Sequence, residues 1–344
     1  MPAPAIKRVL IALAVLICLA VAAGAFYLYR ARRPLPPAAA NPAAAPSVLN
    51  ELPSNAPGVA YIDVAALRKL QGSPLAAVLG LAGASPESDR DYTHFVRATG
   101  FDYTRDLDKA TIAFWPSGNM AQANVIDRAV TLAEGRFDPP KIRAYALRTG
   151  HEIARGSESV YEVPGDPPVA IEFLSPNRLV LASGKNPAGL LGPYASSRRD
   201  PATQALIDRV SGAPLFAVVR TDNLPPSFYD IFRSYPQLEQ LARNIQGLTL
   251  AGQPKATDLQ LVLDARCDSM PHAIEMSTLL DGFRMLGSMA LADPKTRAQM
   301  SREQSAFLNA FLRQAKISHQ DRWVRISLEV TPAMLGSSGA DPKP

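Results

Sequence analysis

The densest group of chemically capable side chains is a set of aspartates within twenty residues. They are Asp89, Asp91, Asp102, Asp106 and Asp108. Paired carboxylates can hold a divalent cation or share acid–base roles. The segment lacks the alternating acidic positions, central glycine and closing glutamate of an EF-hand loop. Because aspartate also favours helix N-caps and turns, we expect caps and a solvated turn, and we keep 102–108 as the candidate site of a hydrolase.

The histidines do not have the spacing of a helical metal site. They are His94, His151, His272 and His319. His151-Glu152 begins like a zinc-protease motif, but Arg155 stands where the second histidine belongs. The two cysteines, Cys18 and Cys267, lie in different parts of the chain, so no disulfide within the folded region is expected. We therefore assign no metal ligand.

Motifs for nucleophilic or phosphate chemistry are incomplete. The chain has no G-x-S-x-G nucleophile elbow. Ser183-Gly184-Lys185-Asn186 resembles the end of a phosphate-binding loop, but Leu179 replaces the first glycine and Asn186 the magnesium-binding hydroxyl. A strand end turning into a capped helix explains this segment better. We assign no catalytic or cofactor-binding residue and no cofactor, and a non-catalytic protein is favoured over an enzyme.

Four methionines follow a predicted apolar helix from about Pro271 to Leu291. They are Met270, Met276, Met285 and Met289. Methionine fills irregular gaps in protein interiors and also forms adaptable binding surfaces. We expect this stripe to belong to the core. The alternative is that the helix lines a cavity for an apolar ligand between sheet and helices.

The N-terminal segment has the length of a membrane span. Val9–Tyr29 contains no charged residue, and 21 residues of helix cross a bilayer core of about 30 Å. We expect residues 1–33 to form a transmembrane anchor that contacts the bilayer through residues 9–29. A signal peptide cleaved near Ala23-Gly24-Ala25 is the alternative, although the apolar run is longer than the hydrophobic region within a usual signal peptide. Residues 34–51, rich in proline and alanine, are expected to be an extended linker.

The basic excess belongs to the anchor. The net charge is +5, and five basic residues with no acidic ones lie in the first 45 positions. The other 31 basic residues balance 31 acidic ones, so the expected partners of the excess charge are lipid headgroups. A nucleic-acid-binding domain would carry a basic face of its own, and we therefore expect no nucleic-acid partner.

Alternating apolar residues predict short strands separated by short turns, which favour antiparallel hairpins. The predicted strands are Gly58–Val64, Thr111–Trp115, Ala129–Phe137, Ser157–Val163, Ala170–Leu174 and Arg178–Ala182. Asn186-Pro187 and Asp293-Pro294 have the form of helix starts. The predicted fold is α+β, with mainly antiparallel sheets and helices packed on one face.

Four sequence echoes predict two similar halves. Residues 54–67 align without gaps with residues 211–224, and five of the fourteen positions are identical. Shorter echoes follow in the same order. They join Ala110–Ala113 to Leu248–Ala251, Gly135–Asp138 to Ala265–Asp268, and Asn177–Val180 to Asp321–Val324. We expect a first repeat over 52–195, a second over 210–333, and a disordered tail over 334–344.

One stretch carries a family resemblance. Leu52-Pro53, continued by Ala56 to Asp63, resembles the opening of uncharacterised bacterial membrane-anchored proteins with a single N-terminal span and duplicated α+β segments. The resemblance implies a bacterial inner-membrane protein whose globular part lies in the periplasm or outside the cell. It implies no known activity. We expect a non-catalytic binding domain for an envelope protein or component, with an envelope hydrolase or a carrier of an apolar ligand as alternatives.

Overall fold

The computed structural model of this chain describes most of its globular region. The described residues are 47–69, 90–117, 126–155, 158–165, 167–192, 199–222, 224, 226, 229, 236–255, 258–293, 308–309 and 311–330. The predicted anchor, most of the linker and the predicted tail lie outside these ranges. Among the residues that are described, no helix combines the length and the apolar character needed to cross a bilayer.

One twelve-stranded antiparallel sheet dominates the described chain. Its strands are β1 Gly58–Asp63, β2 Leu107–Pro116, β3 Ile126–Gly135, β4 His151–Arg155, β5 Glu158–Val163, β6 Val169–Ser175, β7 Arg178–Ser183, β8 Leu215–Arg220, β9 Ile245–Lys255, β10 Asp258–Cys267, β11 Lys316–Gln320 and β12 Trp323–Val330. Their spatial order is β11-β12-β10-β9-β8-β1-β2-β3-β7-β6-β5-β4. The α+β class and the antiparallel pairing are confirmed. The sheet is continuous, however, because β1 pairs with β8.

Seven helices with defined bounds occur in the described ranges, together with short 3₁₀ turns at Ser47–Glu51 and Ala188–Leu190, and further helical residues lie at 308–309 and 311–314. The helices are α1 Val64–Arg68, α2 Arg90–Thr99, α3 Tyr103–Asp106, α4 Pro139–Thr149, α5 Pro201–Val210, α6 Pro236–Arg243 and α7 Met270–Ala292. Asp138 and Asp200 cap α4 and α5, and each is followed by proline at the first helical position. The start predicted at Asn186-Pro187 yields only the 3₁₀ turn.

Helices cover both faces of the sheet, so the expectation of a single covered face is wrong. On one face, Leu206 and Ile207 of α5 pack against Val59 and Phe216. On the other face, α4 packs against β5 and β6 through an apolar cluster of residues that alternate along these strands. That cluster includes Ile142, Ala146, Tyr161 and Ile171. Successive strand residues point to opposite faces, and the strands around β1 and β8 carry apolar side chains on both, so both need cover.

The two halves of the sheet have matching strand connections. The order outward from the centre is β1-β2-β3-β7 in the first half and β8-β9-β10-β12 in the second. At the central seam Ala60 lies opposite Ala217. Asp63 N donates to Pro214 O at 2.7 Å, and Arg220 N donates to Pro57 O at 2.8 Å. Each half therefore meets the other through the same strand in the same register.

Further hydrogen bonds repeat between the halves. Gly135 N donates to Asn177 O at 3.0 Å, as Cys267 N does to Arg322 O at 2.7 Å. These bonds make Gly135 and Cys267 equivalent positions of the two halves. The third echo instead aligned Gly135 with Ala265, two residues earlier. Strand pairing likewise aligns Arg178 with Trp323, one residue from the fourth echo. Descent of both halves from one duplicated unit remains our proposal.

Candidate functional site

The aspartates of 102–108 act as structural groups. Asp102 caps α3 by accepting a hydrogen bond from Thr104 N at 2.9 Å. Asp106 accepts one from Asp102 N at 3.0 Å and forms an ion pair with Arg105 at 2.6 Å. Asp108 pairs with Arg68 at 2.5 Å. Asp89 and the side chain of Asp91 lie outside what the structure describes.

Arginines hold Asp106 in its charged form. Burial raises the pKa of this carboxyl, but hydrogen bonds from Arg105 and Asp102 and the charges of Arg105 and Arg136 outweigh burial, so the pKa lies below its usual range. A general acid at neutral pH needs the opposite shift. This segment therefore has the properties of a brace that joins α3 to the end of β3, since Arg136 also donates to the carbonyl of Arg105.

The histidines do not converge on one site. His272 Nδ1 lies 2.6 Å from Asp268 as a local helix-start contact, and the ring of His94 lies against Tyr145. His319 Nδ1 lies 3.0 Å from Ser277 Oγ, but that hydroxyl donates to Ile274 O at 2.9 Å. The Ser277 hydroxyl therefore has two neighbours, the helix backbone and the imidazole. In the described part of the chain, no three His, Cys, Asp or Glu residues are placed to hold a metal ion.

The segment that resembles a phosphate loop is a strand end. Ser183 is the last residue of β7, and Gly184 adopts a φ of 144° that an L side chain rarely takes. Asn186 Oδ1 accepts a hydrogen bond from Gly189 N at 3.3 Å. The Asn186 side chain therefore closes a local turn, as expected for the simpler interpretation.

The methionine stripe is mostly exposed, which contradicts the core prediction. Met276 is 7% exposed and packs against Cys267, whereas Met285 and Met289 are 59% and 71% exposed. Met270 is also exposed, at 53%. The face of α7 that contacts the sheet carries other residues, such as Ala273 and Leu280, and apolar character alone did not show which side faces inward.

A large apolar cavity lies between the first half of the sheet and helices α2, α3 and α4. Its volume is about 370 Å³. The floor is formed by strand residues of one face. They are Ala60, Ile62, Ala110, Ile112, Thr131, Ala133, Val163, Val169, Ile171, Leu179, Leu181 and Leu215. The helices and the segments beside them contribute Phe95, Phe101, Tyr103, Phe137, Ile142 and Tyr145. The walls are almost wholly apolar.

The aromatic roof is held by helix ends. Gly100 follows the last residue of α2; its φ of 72° suits glycine, and its N–H donates to Val96 O at 2.7 Å. The Asp102 cap starts α3 two residues later, so Phe101 is fixed between the two helices. Its ring stacks on Phe137 at 5.0 Å between centroids and contacts Phe95 edge-on at 6.3 Å. The rings of Phe95 and Tyr145 also meet, at 5.3 Å between centroids, so aromatic contacts connect α2 with α4.

Small side chains open the floor of the cavity. Ala60, Ala110 and Ala133 occupy positions where alternate residues of adjacent strands point to the same face. Because these side chains are small, they do not reach the helices on the other side of the cavity. The contacts between the aromatic residues keep those helices apart from the sheet, so the space is not filled. The sequence contains these small residues on three separate strands, and only the strand register shows that they lie next to one another on one face.

The cavity lies away from the place that sequence suggested for an apolar ligand. That alternative put the methionine-bearing helix α7 against the ligand, whereas the cavity lies against α2, α3 and α4 in the first half. The lining residues carry no charged side chain, and the hydroxyl groups of Thr131, Tyr103 and Tyr145 contribute almost no polar surface to the cavity. What the arrangement can do is remove an apolar molecule from water.

Comparison with known proteins gives neighbours of low similarity. No family model matches the chain, and no curated protein matches it. Three solved structures of TP0453 are similar to this chain at a low level. Crystal form I covers 83% of this chain and 94% of its own, with 10% identity and a TM-score of 0.44. Form III covers 82% and 93%, with 10% identity and a TM-score of 0.47. Form IV covers 82% and 92%, with 11% identity and a TM-score of 0.44.

Proposed function

We propose that this chain is a non-catalytic binding protein that holds an apolar chain, such as a single acyl chain, in the cavity of its first half. The observation that carries the proposal is the 370 Å³ cavity with its apolar walls. Binding sites for small molecules commonly have about 300–1,000 Å³ and mostly apolar linings. Engineered apolar cavities of about 150 Å³ already bind benzene, so a larger one can accept a longer molecule.

The size and polarity of the cavity define the ligand. A methylene group takes somewhat less space than the roughly 30 Å³ of a liquid water molecule, so the cavity accommodates roughly a dozen carbons. Each buried methylene contributes about 0.8 kcal/mol, which offsets the cost of immobilising the chain. A carboxylate or phosphate inside would be desolvated without a partner, so a charged headgroup would stay outside the cavity.

A membrane tether suits this role. We propose that residues 9–29 anchor the chain in a bilayer and that the folded region lies on the side away from the cytoplasm. The proline- and alanine-rich residues 34–46 would reach about 40 Å if extended at about 3.1 Å per residue. The binding domain would then stay close to a source of acyl chains.

The exposed apolar residues of α7 are the observation that favours an alternative function, the docking of an envelope protein. Met285, Leu286 and Met289 share one side of the helix and are 55–71% exposed. Nothing in the structure indicates which partner would cover them. The cavity is the more specific feature, because its shape and polarity define the chemistry of an occupant.

Photolabelling tests the proposed function. The probe is dodecanoic acid with a diazirine near its methyl end, applied to the full-length chain in lipid vesicles. We expect labelling that saturates at one probe per chain and is displaced by unlabelled dodecanoic acid. Ala133 is 5% exposed on the cavity floor, so Ala133→Phe should block labelling by filling the space.

The matched control lies on the opposite face of the same strand. Val130 is fully buried there, so Val130→Ala should cost stability without changing the cavity, and labelling should persist. Labelling that excess competitor does not reduce, or that Ala133→Phe leaves intact in a folded chain, would contradict the proposal.

A further inference from the structure

The strand register provides a position-by-position comparison of the cavity floor with the second half. Ile62 pairs with Ala110, and the equivalent Val219 pairs with Leu248. In the next strand pair, Ile112 lies opposite Thr131. The corresponding pair in the second half is Leu250 and Leu263. Equivalence here follows from hydrogen-bonded pairing and needs no assumption about ancestry.

Most floor positions carry similar residues in both halves. Ala60 matches Ala217, Ala133 matches Ala265, Leu179 matches Val324, and Leu181 matches Ile326. Two positions differ strongly in size. The first half has Ala110 and Thr131, and the second half has Leu248 and Leu263. Ala110 lies opposite Ala133 and Thr131 lies opposite Ile112, so Ala110 and Thr131 are diagonal neighbours on the face where the first half has its cavity.

We infer that Ala110 and Thr131 are the residues that determine ligand capacity, and that their small size makes the first half the ligand-binding half. This inference rests on the proposed function. Ala110 is 7% exposed and Thr131 is 5% exposed, and both line the cavity. A leucine at either position would extend into the space that the acyl chain would occupy. The second half has leucine at both equivalent positions, Leu248 and Leu263.

The reciprocal exchange of residues tests this. The double variant Ala110→Leu/Thr131→Leu gives the first half the floor of the second. In the full-length chain, we expect it to lower competed labelling by the diazirine dodecanoic acid at least tenfold. Ala110→Val adds less volume and should cause a smaller loss, which keeps the test valid if the double variant does not fold. The circular dichroism spectrum and the thermal transition of each variant report whether it folds.

The control exchange is Leu248→Ala/Leu263→Thr in the second half. It makes the opposite substitutions at equivalent positions and should leave labelling of the first half unchanged. Thr131→Val removes the hydroxyl at nearly the same side-chain volume, so it should lose far less labelling than Thr131→Leu. Loss of labelling in Thr131→Val would show that the hydroxyl, and not size, is recognised, and would overturn the inference.

The outcomes separate this inference from the proposed function. Absence of competed labelling in the wild-type chain would refute the proposed function itself. Full labelling of the wild-type chain together with undiminished labelling of folded Ala110→Leu/Thr131→Leu would leave the proposed function standing and refute the inference. Strong labelling in the wild type and in Leu248→Ala/Leu263→Thr, together with loss in the folded double variant Ala110→Leu/Thr131→Leu, would support both.

Discussion

Asp264 is the most deeply buried carboxylate among the described residues, and it joins separate parts of the second half. Its side chain accepts hydrogen bonds from Arg209 at 2.6 Å and from Arg325 at 2.7 and 2.8 Å. Arg209 also lies 4.0 Å from the centre of the Trp323 ring. Burial raises the pKa of Asp264, but the hydrogen bonds and charges of the two arginines outweigh it and lower the pKa.

We predict that Asp264→Asn lowers the free energy of unfolding by about 2 kcal/mol at pH 7, because the arginines lose their charged partner. Both arginines are partly exposed, so water limits the loss. Since the folded pKa is depressed, the stabilisation is present above the unfolded pKa of about 3.9 and disappears as pH falls through the folded value. Urea unfolding at pH 7 and pH 3 should show the gap between the variant and the wild type closing. An equal gap at both pH values would contradict this.

At the scale of single residues, the sequence correctly predicted a helix cap among the aspartates of 102–108, since local hydrogen bonding is largely decided by neighbours along the chain. Asp102 is a cap because Thr104 follows two residues later. Ion pairs between residues far apart in the chain could not be predicted. Nothing near Asp264 in sequence indicates Arg209 or Arg325, which meet it only through the sheet and α5.

Helix ends position the roof of the cavity, and two glycines in helical surroundings should respond oppositely to alanine. Gly100 has a φ of 72°, where a side chain is strained, so Gly100→Ala should lower the free energy of unfolding by about 1 kcal/mol. Gly282 lies inside α7, and a Cβ added there would meet no atom within 4 Å, so Gly282→Ala should raise the free energy of unfolding by up to about 1 kcal/mol. Thermal unfolding of both variants checks the signs, and a shift in the same direction would refute the argument.

Strands were the best predicted elements, because alternation is a local signal. All six predicted strands occur, with ends shifted by a few residues at most. β4 was not predicted, since His151–Arg155 is an edge strand with mostly exposed, polar residues. The joining of β1 to β8 was not foreseen either, because the pairing connects residues about 155 positions apart. The cavity depends on that register and on three helices, so no local pattern reveals it.

At the scale of the whole molecule, the start of the folded region is fixed firmly. Arg199 is 3% exposed and donates to Leu49 O at 2.5 Å and to Pro53 O at 3.3 Å. It thereby fastens the residues where the linker enters the body of the protein. A tether that ends at this point would hold the binding domain at a defined distance from an anchor in residues 9–29.

We predict that the C-terminus lies outside the cytoplasm. Reporter fusions after Pro344 check this, because alkaline phosphatase is active only outside the cytoplasm and green fluorescent protein exported through the same route is not fluorescent. The expected result is phosphatase activity without fluorescence. Fluorescence of the fusion would refute the proposed orientation, although it would leave the cavity and its ligand chemistry untouched.

The position of the photolabel tests the central claim most directly. After labelling the full-length chain with the diazirine dodecanoic acid, peptide mass spectrometry locates the attached carbon chain. We expect adducts on residues of the cavity walls, above all on Phe95, Phe101 and Tyr145, which form its aromatic roof. Adducts confined to residues 9–29 or to the exposed face of α7, with none on the cavity walls, would contradict this claim.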